Sequence, residues 1–243
     1  MTNELGLKPV LIVALLFLAL PLLYAQKESI EKSAAHYQKG CISGNPVDCI
    51  HLAEAYYAGT GVIQDVDRAN ELIQQAANLY QKACDAGDTT ACLTVGDMWN
   101  KYARAYDTAT PFFRKACEGG NATGCYRVGY AYEYGLGATQ DNVQASAFHQ
   151  KACDGGNADA CYDLGTIYNL GLNAPVAQDQ ARALELFKKA CGLGNNASCT
   201  TLGTIYENGS GVPADKSQAI TFYRKGCTLG DSDGCNRLKK IAR

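Results

Sequence analysis

The chain has 243 residues, and its 22 basic and 24 acidic side chains leave a formal net charge of −2. This near-neutral balance gives no basic footprint for nucleic acid and no polybasic patch for an anionic membrane surface. The twelve cysteines form an even set, which in an exported protein indicates disulfides rather than cytosolic metal sites.

The first 25 residues have the layout of a secretory signal peptide. Lys8 precedes an unbroken apolar stretch from Val10 to Leu20, and Pro21 and Ala25 follow it. This arrangement predicts cleavage before Gln26 and a secreted or periplasmic protein, with no membrane association after signal removal. A retained membrane anchor is the alternative, although the apolar run is short for a membrane span.

The cysteines recur in pairs whose members are eight positions apart, and successive pairs begin 33 to 43 residues apart. A period in this range is typical of a solenoid built from two-helix units. Identical spacing in every copy favours disulfides within the pairs. Zinc is the alternative, but a seven-residue gap differs from the short C-x-x-C knuckle, so we expect no metal and no cofactor. The expected pairs are Cys41 with Cys49, Cys84 with Cys92, Cys117 with Cys125, Cys153 with Cys161, Cys191 with Cys199, and Cys227 with Cys235.

Each cysteine pair straddles a predicted turn between two helices. The first cysteine closes one helix, and a glycine three residues later can take the left-handed conformation that ends a helix. The residue after that glycine is Asn or Asp, a strong N-cap, and the second cysteine lies in the first turn of the next helix. These glycines are Gly44, Gly87, Gly120, Gly156, Gly194 and Gly230.

In chain order, these signals predict a leading helix in residues 26–48, five two-helix repeats in residues 49–234 and a capping helix in residues 235–243. The first repeat is seven residues longer than the later ones. The second has no glycine pair after its first helix, and its Pro111 can start or kink its second helix. The fourth carries a two-residue insertion within residues 169–179.

The first helix of each repeat has a predicted buried face at offsets +3, +4 and +7 from the second cysteine. A glycine at +4 lets a neighbouring helix approach closely. His149 stands where other copies have an aromatic residue, four before the cysteine, and is interpreted as a core substitution rather than a catalytic base. The aromatic residues predicted for the core at +7 are Tyr56, Trp99, Tyr132, Tyr168 and Tyr206.

The segment CTTLGTIYENGSGVPADKSQAITFYRKGC, residues 199–227, resembles the Sel1-like repeat, a relative of the tetratricopeptide repeat. With the paired cysteines, residues 29–243 are similar to the Helicobacter cysteine-rich protein family. The resemblance implies an all-α, right-handed α/α solenoid of helix-turn-helix repeats with one disulfide per repeat. It also implies export, a role in protein interaction and, as an alternative function, β-lactam binding or weak β-lactamase activity on penicillin- or cephalosporin-type amides.

The residues themselves give the hydrolase alternative little support. A penicillin-recognising serine enzyme needs an S-x-x-K nucleophile with partners of the S-D-N and K-T-G types. The chain has one S-x-x-K, from Ser29 to Lys32, and no K-T-G. The polar face of the first helix explains that match, so no residue is assigned a catalytic role.

Offsets +1, +5, +8 and +9 point away from the predicted buried face and are expected to line a groove formed by the first helices. Tyrosine interleaved with amides, threonine and carboxylates is typical of a surface that binds peptide or protein segments. The alternatives are that these tyrosines only pack between helices, or that the protein is structural and has no ligand. Tyr126, Tyr130, Tyr134 and Tyr162 form the predicted centre of the groove. The other predicted groove residues are Asp97, Asn100, Lys101, Glu133, Thr166, Asn169, Thr204, Glu207 and Asn208.

Overall fold

The computed structural model describes residues 33–171 and 178–242. Within these ranges the chain forms twelve α-helices and one π-helical segment and no strand, which confirms the predicted all-α class. The predicted signal peptide, Ser29, Lys32 and most of the predicted insertion lie outside the described residues. Helix α1 covers residues 33–42. The others are α2 (Pro46–Ala58), α3 (Val66–Asp85), α4 (Thr89–Met98), the π-helix (Trp99–Ala103), α5 (Tyr106–Glu118), α6 (Ala122–Tyr134), α7 (Asn142–Asp154), α8 (Ala158–Leu170), α9 (Gln180–Gly192), α10 (Asn196–Asn208), α11 (Lys216–Thr228) and α12 (Ser232–Ile241).

The chain divides into two compact units, one ending at Lys82 and the other beginning at Ala83. In the first unit, a disulfide joins α1 to α2, and the Tyr57 hydroxyl of α2 donates a hydrogen bond to Asn70 of α3. In the second unit, successive helices from α4 to α12 pack against one another. The domain bounds expected from the sequence stay predictions.

Six disulfides join the cysteine pairs that the spacing indicates, and no described cysteine is free. Each bridge links the end of one helix to the first turn of the next, with Cα atoms 4.4 to 4.8 Å apart. The prediction of one disulfide per repeat is confirmed. The bridges join Cys41 to Cys49, Cys84 to Cys92, Cys117 to Cys125, Cys153 to Cys161, Cys191 to Cys199, and Cys227 to Cys235.

The predicted helix ends are also confirmed. The six glycines that follow the first cysteines have φ angles between 90° and 99°, in the left-handed region where a side chain is unfavourable. The Asn or Asp after each glycine accepts a hydrogen bond from a backbone N–H of the next helix. A second set of N-caps was not predicted from the sequence. Asp141, Asp179 and Asp215 cap α7, α9 and α11 in the same way.

The second repeat ends its first helix differently from the others. Tyr102 occupies the position, ten residues after the second cysteine, where the other repeats have a glycine, and its side chain disfavours the left-handed conformation. The chain therefore continues as the π-helix, and Arg104 takes the left-handed conformation with a φ of 50°. Helix α5 begins at Tyr106, so Pro111 lies inside this helix rather than at its start. The glycines of the regular repeats, with φ between 63° and 71°, are Gly59, Gly135, Gly171 and Gly209.

The glycine at offset +4 lets the following second helix approach closely, as predicted. A β-carbon built on Gly165 would lie 2.9 Å from the Phe187 ring, and one built on Gly129 would lie 2.7 Å from the His149 ring. Offset +6 is also buried in three of the repeats, which was not predicted from the sequence. Two of these first helices, α6 and α8, pack against second helices on both sides. The buried +6 residues are Met98, Ala131 and Ile167.

Candidate peptide-binding face

Three first helices of the second unit share one length and one register. Helices α6, α8 and α10 each have 13 residues, and the bridged cysteine is the fourth residue of each. An asparagine N-cap and a left-handed glycine fix both ends of each helix, so residues at equal offsets occupy equivalent positions in successive repeats. We use the term first-helix face for the thirteen predicted groove residues given above.

None of the residues of the first-helix face is buried. Tyr130 and Tyr134 are 41% and 56% exposed, and their ring centroids are 4.4 Å apart. Leu170, at the offset of Tyr134 in the next repeat, is also exposed. The end of α6 therefore presents two adjacent aromatic rings to solvent, next in register to an exposed aliphatic side chain.

Tyr126 and Tyr162 are only partly exposed, and both pack against the core. The Tyr126 hydroxyl donates a hydrogen bond to Asp163 Oδ2 at 3.0 Å, and burial is the main cause that raises the pKa of this tyrosine. The Tyr162 ring centroid is 5.7 Å from that of Phe187. Packing between helices therefore accounts for these two tyrosines, whereas Tyr130 and Tyr134 are turned to solvent.

The polar residues of the face differ in what they contact. The hydroxyls of Thr166 and Thr204 donate hydrogen bonds to carbonyls of their own helices. Asn100 and Lys101 lie in the π-helix, so the α-helical periodicity that placed them on this face does not hold there.

The far end of the face borders a polar cavity. Glu207 and Asn208 line this cavity, whose volume is about 400 Å³, together with residues of α12. Two of these, Asp233 and Arg237, form an ion pair at 2.6 Å, so their charges offset each other. The remaining lining residues are Asn236 and Lys240.

The buried His149 forms a hydrogen bond with Glu133. The His149 Nε2 lies 3.1 Å from Glu133 Oε2, and the histidine has no exposed surface. This hydrogen bond is the largest cause that lowers the pKa of Glu133. The other ring nitrogen, Nδ1, has no hydrogen-bond partner and faces Gly129. His149 therefore occupies a core position, as predicted, and its one polar contact orients a carboxylate of the first-helix face.

Asp163 is a second carboxylate at the same place, on the next first helix. Burial raises its pKa, and the nearby charges of Glu133 and Asp159 act in the same direction. Tyr126, which donates a hydrogen bond to Asp163, and His149, which contacts Glu133, have ring centroids 5.5 Å apart, so the two carboxylates flank one pair of rings. Asp163 is not among the predicted groove residues, because its offset of +2 lies outside the predicted groove positions.

The contact between Glu133 and His149 has a counterpart in the last repeat. There the Tyr223 hydroxyl donates a hydrogen bond to Glu207, which occupies the offset of Glu133. In the second and fourth repeats the offset carries an amide, and the facing residue is a phenylalanine. In the third and fifth repeats, a carboxylate at this offset therefore accompanies a His or Tyr that lies four residues before the next cysteine. This pairing is visible in the sequence.

The near-neutral net charge conceals a separation of charge between the two sets of helices. The second helices α5, α7, α9 and α11 carry nine basic and four acidic residues. The first helices α4, α6, α8 and α10 carry a single base, Arg127, which lies 3.2 Å from Asp97. Their acidic residues are Asp97, Glu133, Asp159, Asp163 and Glu207. The net charge of the whole chain therefore does not describe the charge of either set of helices.

The described ranges hold neither a cluster suited to a metal ion nor a helix suited to a membrane. No three His, Cys, Asp or Glu side chains in residues 33–171 and 178–242 come together as a potential metal site. None of the helices in those ranges has both the length and the apolar character needed to cross a bilayer.

Comparison with known proteins identifies the repeat. The Sel1 repeat profile matches residues 46–88, 122–157, 158–195 and 197–231, which together make up more than half of the chain. No curated protein matches the chain significantly.

Several solved bacterial structures are similar to this chain. A Sel1 repeat protein from Oxalobacter formigenes is 23% identical, with a TM-score of 0.66 and coverage of 89% of each chain. A protective antigen of uropathogenic Escherichia coli is 24% identical, with a TM-score of 0.62 over 86% of this chain; the match spans about half, 51%, of the antigen. Helicobacter pylori cysteine-rich protein B is 29% identical, with a TM-score of 0.44 over 58% of this chain and 99% of its own.

Proposed function

The chain belongs to the Sel1 repeat family, and from that premise we propose that it binds extended peptide or protein segments on the first-helix face of its second unit. The observation that carries this proposal is the exposed pair of rings formed by Tyr130 and Tyr134. Exposed aromatic side chains on a rigid surface are the residues that most often dominate binding energy at protein interfaces.

The scaffold supports such a role because its parts are held in place before a ligand arrives. Disulfides bridge successive repeats, and the side chains beneath the face are hydrogen-bonded, as with Tyr126 to Asp163 and His149 to Glu133. A preorganised surface loses little conformational entropy on binding, which leaves more of the contact energy for affinity. Stacked helical repeats also offer the extended surface that a peptide segment needs.

The proposal is tested by selecting ligands from a random dodecapeptide library displayed on phage, with the oxidised protein as target. The affinity of a selected peptide is then measured by fluorescence anisotropy for wild type and for the Tyr130→Ala/Tyr134→Ala variant. Loss of two exposed aromatic anchors should weaken binding at least about tenfold. The free energy of unfolding should change by less than about 0.5 kcal/mol, because both rings are exposed.

Tyr106→Ala is the matched control, because Tyr106 is an exposed tyrosine on the second helix α5. Its removal should leave the affinity unchanged. Failure to enrich any peptide, or equal affinity of the double variant and the control, would contradict the proposal. A large loss of stability in the double variant would show instead that the two tyrosines serve the core.

We further propose that the protein is exported to an oxidising compartment and that residues 1–25 direct this export. The support is the pairing of all twelve cysteines in disulfides, which persist in the periplasm or outside the cell and are rare in the cytosol. N-terminal sequencing of the protein from cell fractions should find a chain that begins at Gln26 outside the cytosol. An uncleaved chain in the cytosolic fraction would contradict export. No contact among the described residues favours β-lactam chemistry, so hydrolysis is not proposed.

A further inference from the structure

The first-helix face is electrically unbalanced at the point where its aromatic rings are exposed. Helices α6 and α8 together carry Glu133, Asp159 and Asp163 but only one base, Arg127. That base pairs with Asp97 of α4. The amide of Asn195 donates a hydrogen bond to Asp159. The charges of Glu133 and Asp163 are thus left without a basic partner from their own helices.

Several basic side chains of the described ranges form ion pairs with other carboxylates, namely Arg68, Lys115, Arg127, Lys189 and Arg237. The contacts of Glu133 and Asp163 include hydrogen bonds from His149 and from the Tyr126 hydroxyl. These hydrogen bonds orient both carboxylates and place them on either side of the Tyr126 and His149 rings, whose centroids are 5.5 Å apart. A cation from outside the chain would gain attraction from both groups.

The neighbouring rings favour the same kind of ligand. Tyr134 directly follows Glu133 in α6, and its exposed ring lies beside that of Tyr130. The face of a tyrosine ring attracts an ammonium or guanidinium group, and the aliphatic part of a lysine or arginine side chain packs on such a ring. An acidic ligand would instead meet the excess of carboxylates on α6 and α8.

We infer that the bound segment carries a lysine or arginine, and that Glu133 and Asp163 hold its cationic group beside the rings of Tyr130 and Tyr134. This inference rests on the proposed function and specifies the chemistry of its ligand. The basic second helices α9 and α11 should repel the same segment, so the separation of charge also directs the ligand to one set of helices.

The test uses two versions of one selected dodecapeptide, which differ only in the replacement of its lysine by norleucine. If the peptide carries arginine, citrulline replaces it. Each replacement removes the charge and keeps a side chain of similar length. Wild-type protein should bind the cationic peptide about tenfold more tightly at low salt, and this preference should shrink as salt is added.

The protein side of the test is the Glu133→Gln/Asp163→Asn variant, in which the preference for the cationic peptide should fall below about twofold. Its matched control is Glu118→Gln/Glu185→Gln, which removes the same charge from exposed positions of the second helices α5 and α9. The control should keep the full preference. Because the lysine-to-norleucine comparison is made within each protein, a loss of stability in one variant does not obscure the result.

Two failures are distinguishable. If the selected peptides lose affinity with Tyr130→Ala/Tyr134→Ala but show no preference for a cation, the binding face stands and the inference about its ligand is overturned. If the library yields no ligand for the wild-type protein, the proposed function fails and the inference fails with it. Equal preference in the Glu133→Gln/Asp163→Asn variant and in wild type would also overturn the inference.

Discussion

The close approach of helices at the +4 glycines makes a quantitative prediction for Gly165→Ala. In helix α8, alanine should gain about 1 kcal/mol over glycine from helix propensity alone. The added methyl group, however, would lie 2.9 Å from two atoms of the Phe187 ring and 3.3 Å from Leu186 Cβ. Phe187 is fully buried, so its ring has no space into which to move. Overpacking of this kind costs about 2–3 kcal/mol, and we expect a net loss of about 1–2 kcal/mol.

The assay is urea unfolding of the oxidised protein, followed by circular dichroism. Gly192→Ala is the matched control, because a methyl group there meets nothing within 4 Å. The control should be neutral or more stable by about 0.5 kcal/mol. Phe187→Leu, introduced into the Gly165→Ala protein, should recover part of the lost stability, with a coupling energy of about 1 kcal/mol. A Gly165→Ala protein at least as stable as wild type would refute the close packing on which this reasoning depends.

Three other predictions follow from particular contacts. Replacing Cys153 and Cys161 by alanine should lower the free energy of unfolding by about 2.5 kcal/mol, because the short loop they close is no longer constrained in the unfolded chain; an unchanged urea midpoint would contradict this. Pro111→Ala should stabilise the protein by about 1–3 kcal/mol, because the exposed proline lies inside α5 and lacks a backbone donor; a loss of stability in urea would contradict this. The hydrogen bond with His149 lowers the pKa of Glu133 below its ordinary value of 4.5. The ionised Glu133 therefore adds to the free energy of unfolding above pH 4.5, and this contribution is lost as the pH falls through the lowered pKa. Wild type should therefore lose stability on acidification below pH 4.5 more steeply than Glu133→Gln, and parallel stability curves would contradict the assignment.

Local chemistry made much of the fold predictable from the sequence. A helix end depends on a few adjacent residues, so the glycines after the first cysteines and the Asn or Asp caps that follow were identified correctly. The second repeat was harder, because Tyr102 replaces a glycine and the chain compensates with a π-helix that no short motif announces. Burial of Ala131 and Ile167 at offset +6 was not predicted, because it depends on a second helix that packs from the other side.

The candidate site was less predictable because it depends on contacts between repeats. Helical periodicity placed Tyr130 and Tyr134 on an outward face, and both are exposed. The same periodicity could not show that Tyr126 hydrogen-bonds Asp163 across to the next first helix, or that His149 supports Glu133. Net charge did not show that the first helices are acidic and the second helices basic, because their charges nearly cancel in the sum.

The most direct test of the proposed binding face is an NMR map of backbone amides in the oxidised protein, recorded as a selected dodecapeptide is added. Binding on the first-helix face should shift the amides of α6 and α8 most, especially around Tyr130, Tyr134 and Asp163. The amides of the second helices α9 and α11 should change little. Shifts concentrated on α9 and α11, with α6 unaffected, would contradict the account.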